Sequence, residues 1–184
     1  MRIDPSTGLL EGARFVRSPN QDDRPEGAEP ELVVVHGISL PPGELGGPWI
    51  DRLFTNRIEP DAHPYFREIA HLQVSAHALI RREGSITQYV PFHRRAWHAG
   101  VSTWRGRERV NDFSVGVELE GTDDTPYEAV QYQALADLVR ALAATYPKIT
   151  PGRVTGHSHI APGRKTDPGP SFDWHRLRAL VDEP

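Results

Sequence analysis

Two histidines and one aspartate are the residues of this sequence whose types best suit metal chemistry. His36 follows the apolar run of residues 32–35, and His157 opens a loop rich in proline and glycine that contains Asp167. Two imidazoles and a carboxylate suit a catalytic zinc ion, which takes three protein ligands and keeps a fourth position open. A strand end and a proline-stiffened loop can place such ligands accurately. A structural interpretation is equally open at this point, because His36 can simply end a core strand and His157 can bond local carbonyl groups.

A carboxylate that could move protons lies in a second segment. Residues 113–119 alternate strictly, which predicts a strand with Glu118 on the same face as Ser114 and Gly116. Glu120 points in the same direction, and periodicity does not choose between the two acids. Glu118 could instead be a solvated residue on an exposed sheet face.

Composition excludes several other chemistries. The 184 residues contain no cysteine, which excludes disulfides, thiolate zinc sites and a cysteine nucleophile. No Gly-x-Ser-x-Gly segment occurs, which argues against a serine hydrolase built on a nucleophile elbow. The formal net charge of −4 argues against nucleic-acid binding through overall charge.

Neither a membrane span nor a signal peptide is indicated by the sequence. No stretch approaches the ~18 uninterrupted apolar residues of a membrane span, and the first residues lack the apolar core of a signal peptide. We therefore expect a cytoplasmic protein with no membrane partner and no nucleic-acid partner.

Strands interleaved with helices must position the candidate residues. The pattern predicts an α/β fold with a central mixed β-sheet flanked by helices. A capping box with Pro126 at the first helical position predicts a helix that runs to Tyr146, and Ser171 is predicted to cap a last helix. The predicted strands are residues 32–36, 74–80, 86–90, 113–119 and 153–156, and a short helix is predicted over residues 48–54.

The length indicates a single domain, because a typical domain has roughly 150 residues. Residues 1–30 carry few apolar side chains and end in a run rich in proline and acids. We expect these residues to form a surface arm with few regular elements. Residues 31–184 then form the catalytic core.

Five sequence blocks together point to a known family. The blocks are VHGISLPPG (35–43), SAHALI (75–80), WHAG (97–100), NDFSVGVE (111–118), and GH (156–157) through KTDPGP (165–170). They resemble the zinc N-acetylmuramoyl-L-alanine amidases, a superfamily that includes the peptidoglycan recognition proteins. Within it the chain is most similar to the cytoplasmic AmpD type, the 1,6-anhydro-N-acetylmuramoyl-L-alanine amidases of cell-wall recycling. The similarity extends from about residue 10 to 182 with the blocks in family order.

The resemblance assigns a role to each candidate residue. It implies zinc ligands at His36, His157 and Asp167, a general base at Glu118, and a cation beside the developing oxyanion at Lys165. These residue types suit the chemistry, since a carboxylate can carry a proton and a lysine ammonium can stabilise an oxyanion.

One position departs from the pattern of many relatives. A tyrosine that shares the catalytic work in those relatives is replaced here by Ala76, which fits the AmpD type, where the glutamate takes over that role. The neighbouring His77 is interpreted as a core residue or one behind the ligands, and His159 as a loop or rim residue. We interpret the other histidines as structural or exposed, namely His63, His71, His93 and His175.

One of the five blocks, together with an arginine, is expected to contact substrate. The segment Trp97-His98-Ala99-Gly100 offers an aromatic plane and a floor of small residues for a sugar or lactyl group, although packing explains Trp97 equally well. Arg164 is expected to bind substrate carboxylates, because a guanidinium matches a carboxylate in bidentate fashion. Arg105, Arg107 and Arg109 could do the same or form a solvated charge run.

The function implied by the resemblance is that of a zinc amidohydrolase. It would cut the amide between the lactyl group of (1,6-anhydro-)N-acetylmuramic acid and L-alanine in small muropeptides, as a monomer. A noncatalytic muropeptide-binding module is the alternative from another class. Loss of a metal ligand would favour that module, yet His36, His157 and Asp167 are all present.

Overall fold

The protein combines short and long β-strands with helices, and a computed structural model describes residues 1–182. The strands are β1 (Ile3–Asp4), β2 (Leu9–Leu10), β3 (Arg14–Phe15), β4 (Gln21–Asp22), β5 (Leu32–Ile38), β6 (Ala78–Ile80), β7 (Ile86–Gln88), β8 (Arg95–Ala96), β9 (Thr103–Trp104), β10 (Arg107–Glu108), β11 (Ser114–Glu120) and β12 (Val154–Gly156). The helices are α1 (Trp49–Phe54), α2 (Phe66–Ile69), α3 (Ala129–Thr145), α4 (His157–Ile160) and α5 (Trp174–Asp182).

Six strands form a central mixed sheet in the order β12-β5-β11-β6-β7-β3. Strands β6 and β7 form the predicted antiparallel hairpin, with fewer residues paired than the sequence indicated, and the other neighbours pair parallel. Strands β5 and β11 lie in the middle and are buried on both faces, as is typical of parallel strands rich in β-branched residues. The predicted fold class is confirmed.

Helices cover both faces of this sheet. Helices α3 and α5 pack on the face that carries Val35 and Val117, where buried leucines such as Leu138 contribute about 1.5–3 kcal/mol each. Helices α1 and α2 pack near the other face, around Leu79. None of the helices within residues 1–182 is long and apolar enough to cross a membrane.

Two helix starts differ from the sequence prediction. Helix α3 begins three residues later than expected, with Glu128 as the N-cap and Gln131 completing the capping box. Tertiary contacts explain the shift, because Tyr127 is buried and donates a hydrogen bond to the carbonyl of Pro168. Helix α5 is capped by Asp173, whose Oδ1 accepts the N–H of Arg176 at 2.9 Å, rather than by Ser171.

Residues 1–30 are integrated more closely than a surface arm. Strands β1 and β2 pair with each other, β3 extends the central sheet beside β7, and β4 pairs with β8. The side chain of Arg24 is partly buried, and its guanidinium donates to the carbonyls of Phe92 (3.1 Å) and Ser114 (2.9 Å). The segment therefore forms an edge of the sheet and braces the strand that carries Glu118.

Candidate metal centre and active site

The register of the central strands brings the sequence-predicted ligands together. Strand β12 pairs with β5 so that Gly156 lies opposite Val35, which places His157, the first residue of α4, beside His36. The loop after α4 returns Asp167 to the same place, where the backbone N–H of Ser158 donates to its carbonyl. These side chains meet at the carboxyl ends of parallel strands, where open α/β sheets bind their ligands.

The three predicted ligands form a nearly equilateral triangle. Nδ1 of His36 lies 3.0 Å from Nδ1 of His157, and Oδ2 of Asp167 lies 3.2 Å and 3.1 Å from these two atoms. A tetrahedral ion with bonds of about 2.0–2.1 Å keeps its ligand atoms roughly 3.3 Å apart. The cluster could therefore hold a metal ion.

The protonation states of these side chains favour binding of a cation. Burial lowers the pKa of His36 to about 4, which leaves the imidazole neutral with a free lone pair at neutral pH. Burial opposes ionisation of Asp167, but its polar interactions with His157 and His36 outweigh burial and hold the pKa of Asp167 well below its ordinary value. Neutral imidazole and carboxylate ligands are a donor set that zinc accepts.

Glu118 lies beside this triangle with one oxygen uncommitted. The residue is buried, and its Oε1 lies 4.0 Å from Nδ1 of His36. Its Oε2 is buried and has no hydrogen-bond partner among residues 1–182. Burial, together with the negative charge of Asp167, raises the pKa of Glu118 well above its ordinary value. A carboxyl group in this setting can accept and release a proton near the cluster.

Glu120 differs from Glu118 because its charge is already paired. Its side chain is buried, and its Oε1 accepts hydrogen bonds from Arg81 Nη1 (2.8 Å) and from the backbone N–H of Gly46 (2.6 Å). Both acids point to the same side of β11, as the alternation predicted. The ion pair with Arg81 gives Glu120 a structural role. The sequence did not reveal this pairing because Arg81 and Glu120 are 39 positions apart.

Lys165 is exposed near the cluster. Its positive charge lowers the pKa of His36 and opposes the rise in the pKa of Glu118, although burial is the larger influence on both groups. The lysine is therefore close enough to act electrostatically on atoms bound beside these residues.

The profile of the N-acetylmuramoyl-L-alanine amidase family matches residues 26–170, which carry the whole cluster. The chain belongs to this amidase family. A curated relative, the 1,6-anhydro-N-acetylmuramyl-L-alanine amidase AmpD of Salmonella typhimurium (strain SL1344), is 65% identical over 177 residues, which are 96% of this chain and 94% of the relative.

Solved structures agree with this family assignment. A crystal structure of a selenomethionine derivative of AmpD superposes with a TM-score of 0.95 at 64% identity, covering 98% of this amidase and 99% of that chain. AmpDh3 of Pseudomonas aeruginosa, solved in complex with anhydromuramic pentapeptide, superposes with a TM-score of 0.62 at 31% identity, covering 85% of this chain and 61% of that one. The resemblance stated from the sequence blocks is confirmed.

A cleft of about 670 Å³ opens above the cluster of this amidase. Its floor is polar and contains the three candidate ligands and Glu118. One wall is apolar and is contributed by the layer of α1 and α2. The apolar wall residues are Leu40, Leu53, Phe54, Tyr65, Ile69, Leu72 and Val74.

The segment predicted to contact substrate divides into two parts. Trp97 lines the cleft and donates its Nε1–H to Asp22 at 3.1 Å, and His98 also lines the cleft. Ala99 is fully buried and Gly100 is exposed, and neither belongs to the cleft lining. The structure thus places Ala99 behind the cleft instead of in its floor.

Arg164 lines the cleft and also braces this segment. Its Nη2 donates to the carbonyls of Ala99 (2.6 Å) and Val101 (2.7 Å), and its guanidinium lies against Gly100. Its Nε and Nη1 have no hydrogen-bond partner among residues 1–182, so part of the guanidinium stays available to a ligand.

The remaining histidines stand outside the cluster. His77 is buried, accepts the N–H of Gly116 at 3.0 Å and lies 3.0 Å from the carbonyl of Arg94. His159 is exposed, and its Nδ1 accepts the N–H of Gly156 at 3.3 Å. Exposed positions are also held by His71, His93 and His175, whereas His63 is partly buried.

Proposed function

We propose that this chain is a zinc amidohydrolase that cleaves the amide between the lactyl group of 1,6-anhydro-N-acetylmuramic acid and L-alanine in muropeptides. The observation that carries the proposal is the triangle of His36, His157 and Asp167 beside the uncommitted oxygen of Glu118, at the floor of an open cleft. The AmpD relatives are named for their amidase activity, which supports the reaction type.

The proposed metal is zinc, held by His36, His157 and Asp167. Zinc at such a site supplies Lewis acidity, which polarises the scissile carbonyl and makes water a stronger nucleophile at neutral pH. The triangle of ligand atoms, with sides of 3.0–3.2 Å, supports this choice. Cysteine-free composition is consistent with a ligand set of nitrogen and oxygen.

Glu118 is the proposed proton carrier. Its free Oε2 accepts a proton from the attacking water and then delivers it to the nitrogen of L-alanine, so that the C–N bond breaks with a neutral amine as the leaving group. The buried setting raises the proton affinity of the carboxylate, which favours acceptance at neutral pH. The positive charge of Lys165 is proposed to stabilise the negative carbonyl oxygen in the transition state.

Substrate recognition is proposed to use both ends of the cleft. Trp97 presents an aromatic surface to the sugar side, while the free N–H groups of Arg164 attract carboxylates of the peptide. Ala99 is proposed to contribute through its carbonyl, which accepts a hydrogen bond from Arg164, and Gly100 through its close contact with the same guanidinium.

We also propose that residues 1–184 form one catalytic domain that acts as a monomer on soluble fragments in the cytoplasm. The three candidate ligands and Glu118 all belong to the same chain and meet in one cleft, which supports a site that one copy can form. The identity with AmpD enzymes over most of the chain supports a role in recycling rather than in lysis of the intact wall.

Metal analysis combined with turnover tests this proposal. Purified protein is expected to contain one zinc per chain, to release peptide from soluble anhydro-muropeptide, to lose activity on chelation and to regain it with zinc. Full activity of verified metal-free protein would overturn the metal mechanism. Substrate binding without cleavage would indicate a noncatalytic binding module, and faster release from polymeric wall would indicate a lytic amidase.

A further inference from the structure

Both candidate imidazole ligands turn the same nitrogen toward the metal centre. His36 and His157 present Nδ1 to the triangle, so each leaves Nε2 on the far side of its ring. The Nε2 of His36 lies 2.9 Å from Nδ1 of His98, and the Nε2 of His157 lies 3.2 Å from the carbonyl oxygen of Ala99. Two consecutive residues of one loop therefore contact both ligand rings.

We propose that His98 and Asn111 are positioning residues of the metal site, which fix the orientation and the tautomer of the two ligand histidines. The inference rests on the proposed zinc function, and it goes beyond that function by assigning a role to residues that touch neither the ion nor the reacting atoms. A metal-binding histidine needs its second nitrogen to donate to an acceptor, which orients the ring and makes it a better ligand.

Hydrogen-bond direction follows from the chemistry of the acceptors. The carbonyl of Ala99 can only accept, so Nε2 of His157 carries a proton and its Nδ1 has a free lone pair. The same ligand state of His36 requires Nε2 to donate to Nδ1 of His98. The proton of His98 then lies on its Nε2, which donates to Oγ of Ser114 at 3.0 Å.

The packing around His98 holds this chain of hydrogen bonds in place. A side chain at Gly116 would overlap the imidazole of His98, so the absence of a Cβ atom there makes room for the ring over β11. The ring also meets the ring of His36 edge-on, with centroids 5.0 Å apart. His98 is consequently a support for a ligand as well as a part of the cleft wall.

Asn111 fixes the backbone that presents both acceptors. Its Oδ1 accepts the N–H of His98 at 3.1 Å and the N–H of Ala99 at 2.8 Å. Arg164 holds the same loop from the other side through the carbonyl of Ala99. One side-chain amide therefore sets the position of the two groups that orient His36 and His157.

Zinc affinity, measured by competition with a chromophoric chelator, separates this role from substrate binding. His98→Leu removes the acceptor for His36 and is expected to weaken zinc binding roughly 10–100-fold. His98→Asn offers an oxygen near the position of Nδ1 and is expected to recover most of that loss. A residue that only contacts substrate would raise KM and leave zinc affinity unchanged.

A second pair of variants guards against loss of folding. Asn111→Asp keeps an acceptor oxygen and is expected to bind zinc more tightly than Asn111→Leu. Thermal unfolding of the metal-free forms identifies any variant whose fold is lost, and such a variant is set aside in favour of the other pair. Weaker zinc binding in the leucine variants with recovery in their isosteric partners supports the inference.

The zinc measurements separate failure of the proposed metal function from failure of the positioning role. If the wild-type chain binds no zinc, the proposed metal function fails. If the wild type binds zinc tightly and folded His98→Leu and Asn111→Leu match its affinity, the positioning role fails while the proposed function stands. Equal losses in His98→Leu and His98→Asn would also overturn the role, because the acceptor would then be irrelevant.

Discussion

Glu118 lies directly opposite His36 across the parallel pair β5–β11, and their side chains approach to 4.0 Å between Oε1 and Nδ1. The pairing register fixes this relationship, because a shift of one residue would turn Glu118 to the face of the sheet that is covered by α3 and α5. The proposed proton carrier and a candidate metal ligand are thus placed by the most buried part of the fold.

Replacement of the two neighbouring acids should separate catalysis from structure. Glu118→Gln removes the proton acceptor and is expected to lower the rate roughly 10²–10⁴-fold with zinc content unchanged. Glu120→Gln keeps the cleft but breaks the ion pair with Arg81, so it should mainly cost about 1–3 kcal/mol of stability. Steady-state kinetics and denaturant unfolding measure the two effects. Equal rate losses in both variants would refute the assignment of Glu118.

The stability of the metal-free protein should respond to pH through Glu118. Burial raises the pKa of Glu118 above its ordinary value of 4.5, so the folded state keeps a proton that the unfolded state has released. The stability of the metal-free wild-type protein therefore falls as pH rises from about 4.5 toward the raised pKa of Glu118. The unfolding free energy of metal-free Glu118→Gln, relative to wild type, is expected to increase with pH above about 4.5. A difference that does not change between pH 4 and pH 8 would contradict this prediction.

Removal of a ligand should abolish both metal and turnover. Alanine at His36, His157 or Asp167 leaves two ligands, too few for a stable zinc site, and each variant is expected to lack zinc and activity. His159→Ala is a matched control, because His159 is exposed, lies two residues from His157 and is not part of the cluster. Metal content and turnover of the control are expected to match the wild type. A zinc-free control would show that the ligand set is wrong.

Arg164→Ala should affect substrate binding more than turnover. The change removes an exposed cation from the cleft, and exposed ion pairs contribute about 0.2–1 kcal/mol, so KM is expected to rise roughly 1.4- to fivefold. Arg178→Ala, at an exposed position of α5, controls for the loss of one positive charge. A drop in kcat at constant KM would assign Arg164 to the reaction step instead.

The sequence determined the elements whose patterns are local. An apolar β-branched run marked β5, strict alternation marked β11, and helical spacing marked α3, because each pattern reflects burial of one strand or one helix face. The donor types of His36, His157 and Asp167 and the family resemblance also came from the sequence. The strand and helix patterns can each be recognised within a short stretch of chain, and the resemblance rests on several short blocks in family order.

Tertiary structure decided the features that depend on distant residues. Arg81 distinguishes Glu120 from Glu118, and His98 reaches His36 across 62 positions, so no local pattern records either contact. Tyr127 moved the start of α3 because its side chain was drawn into the core. Strand register and side-chain burial are set only when the whole chain packs, and they determined which acid keeps an unpaired oxygen beside the candidate metal centre.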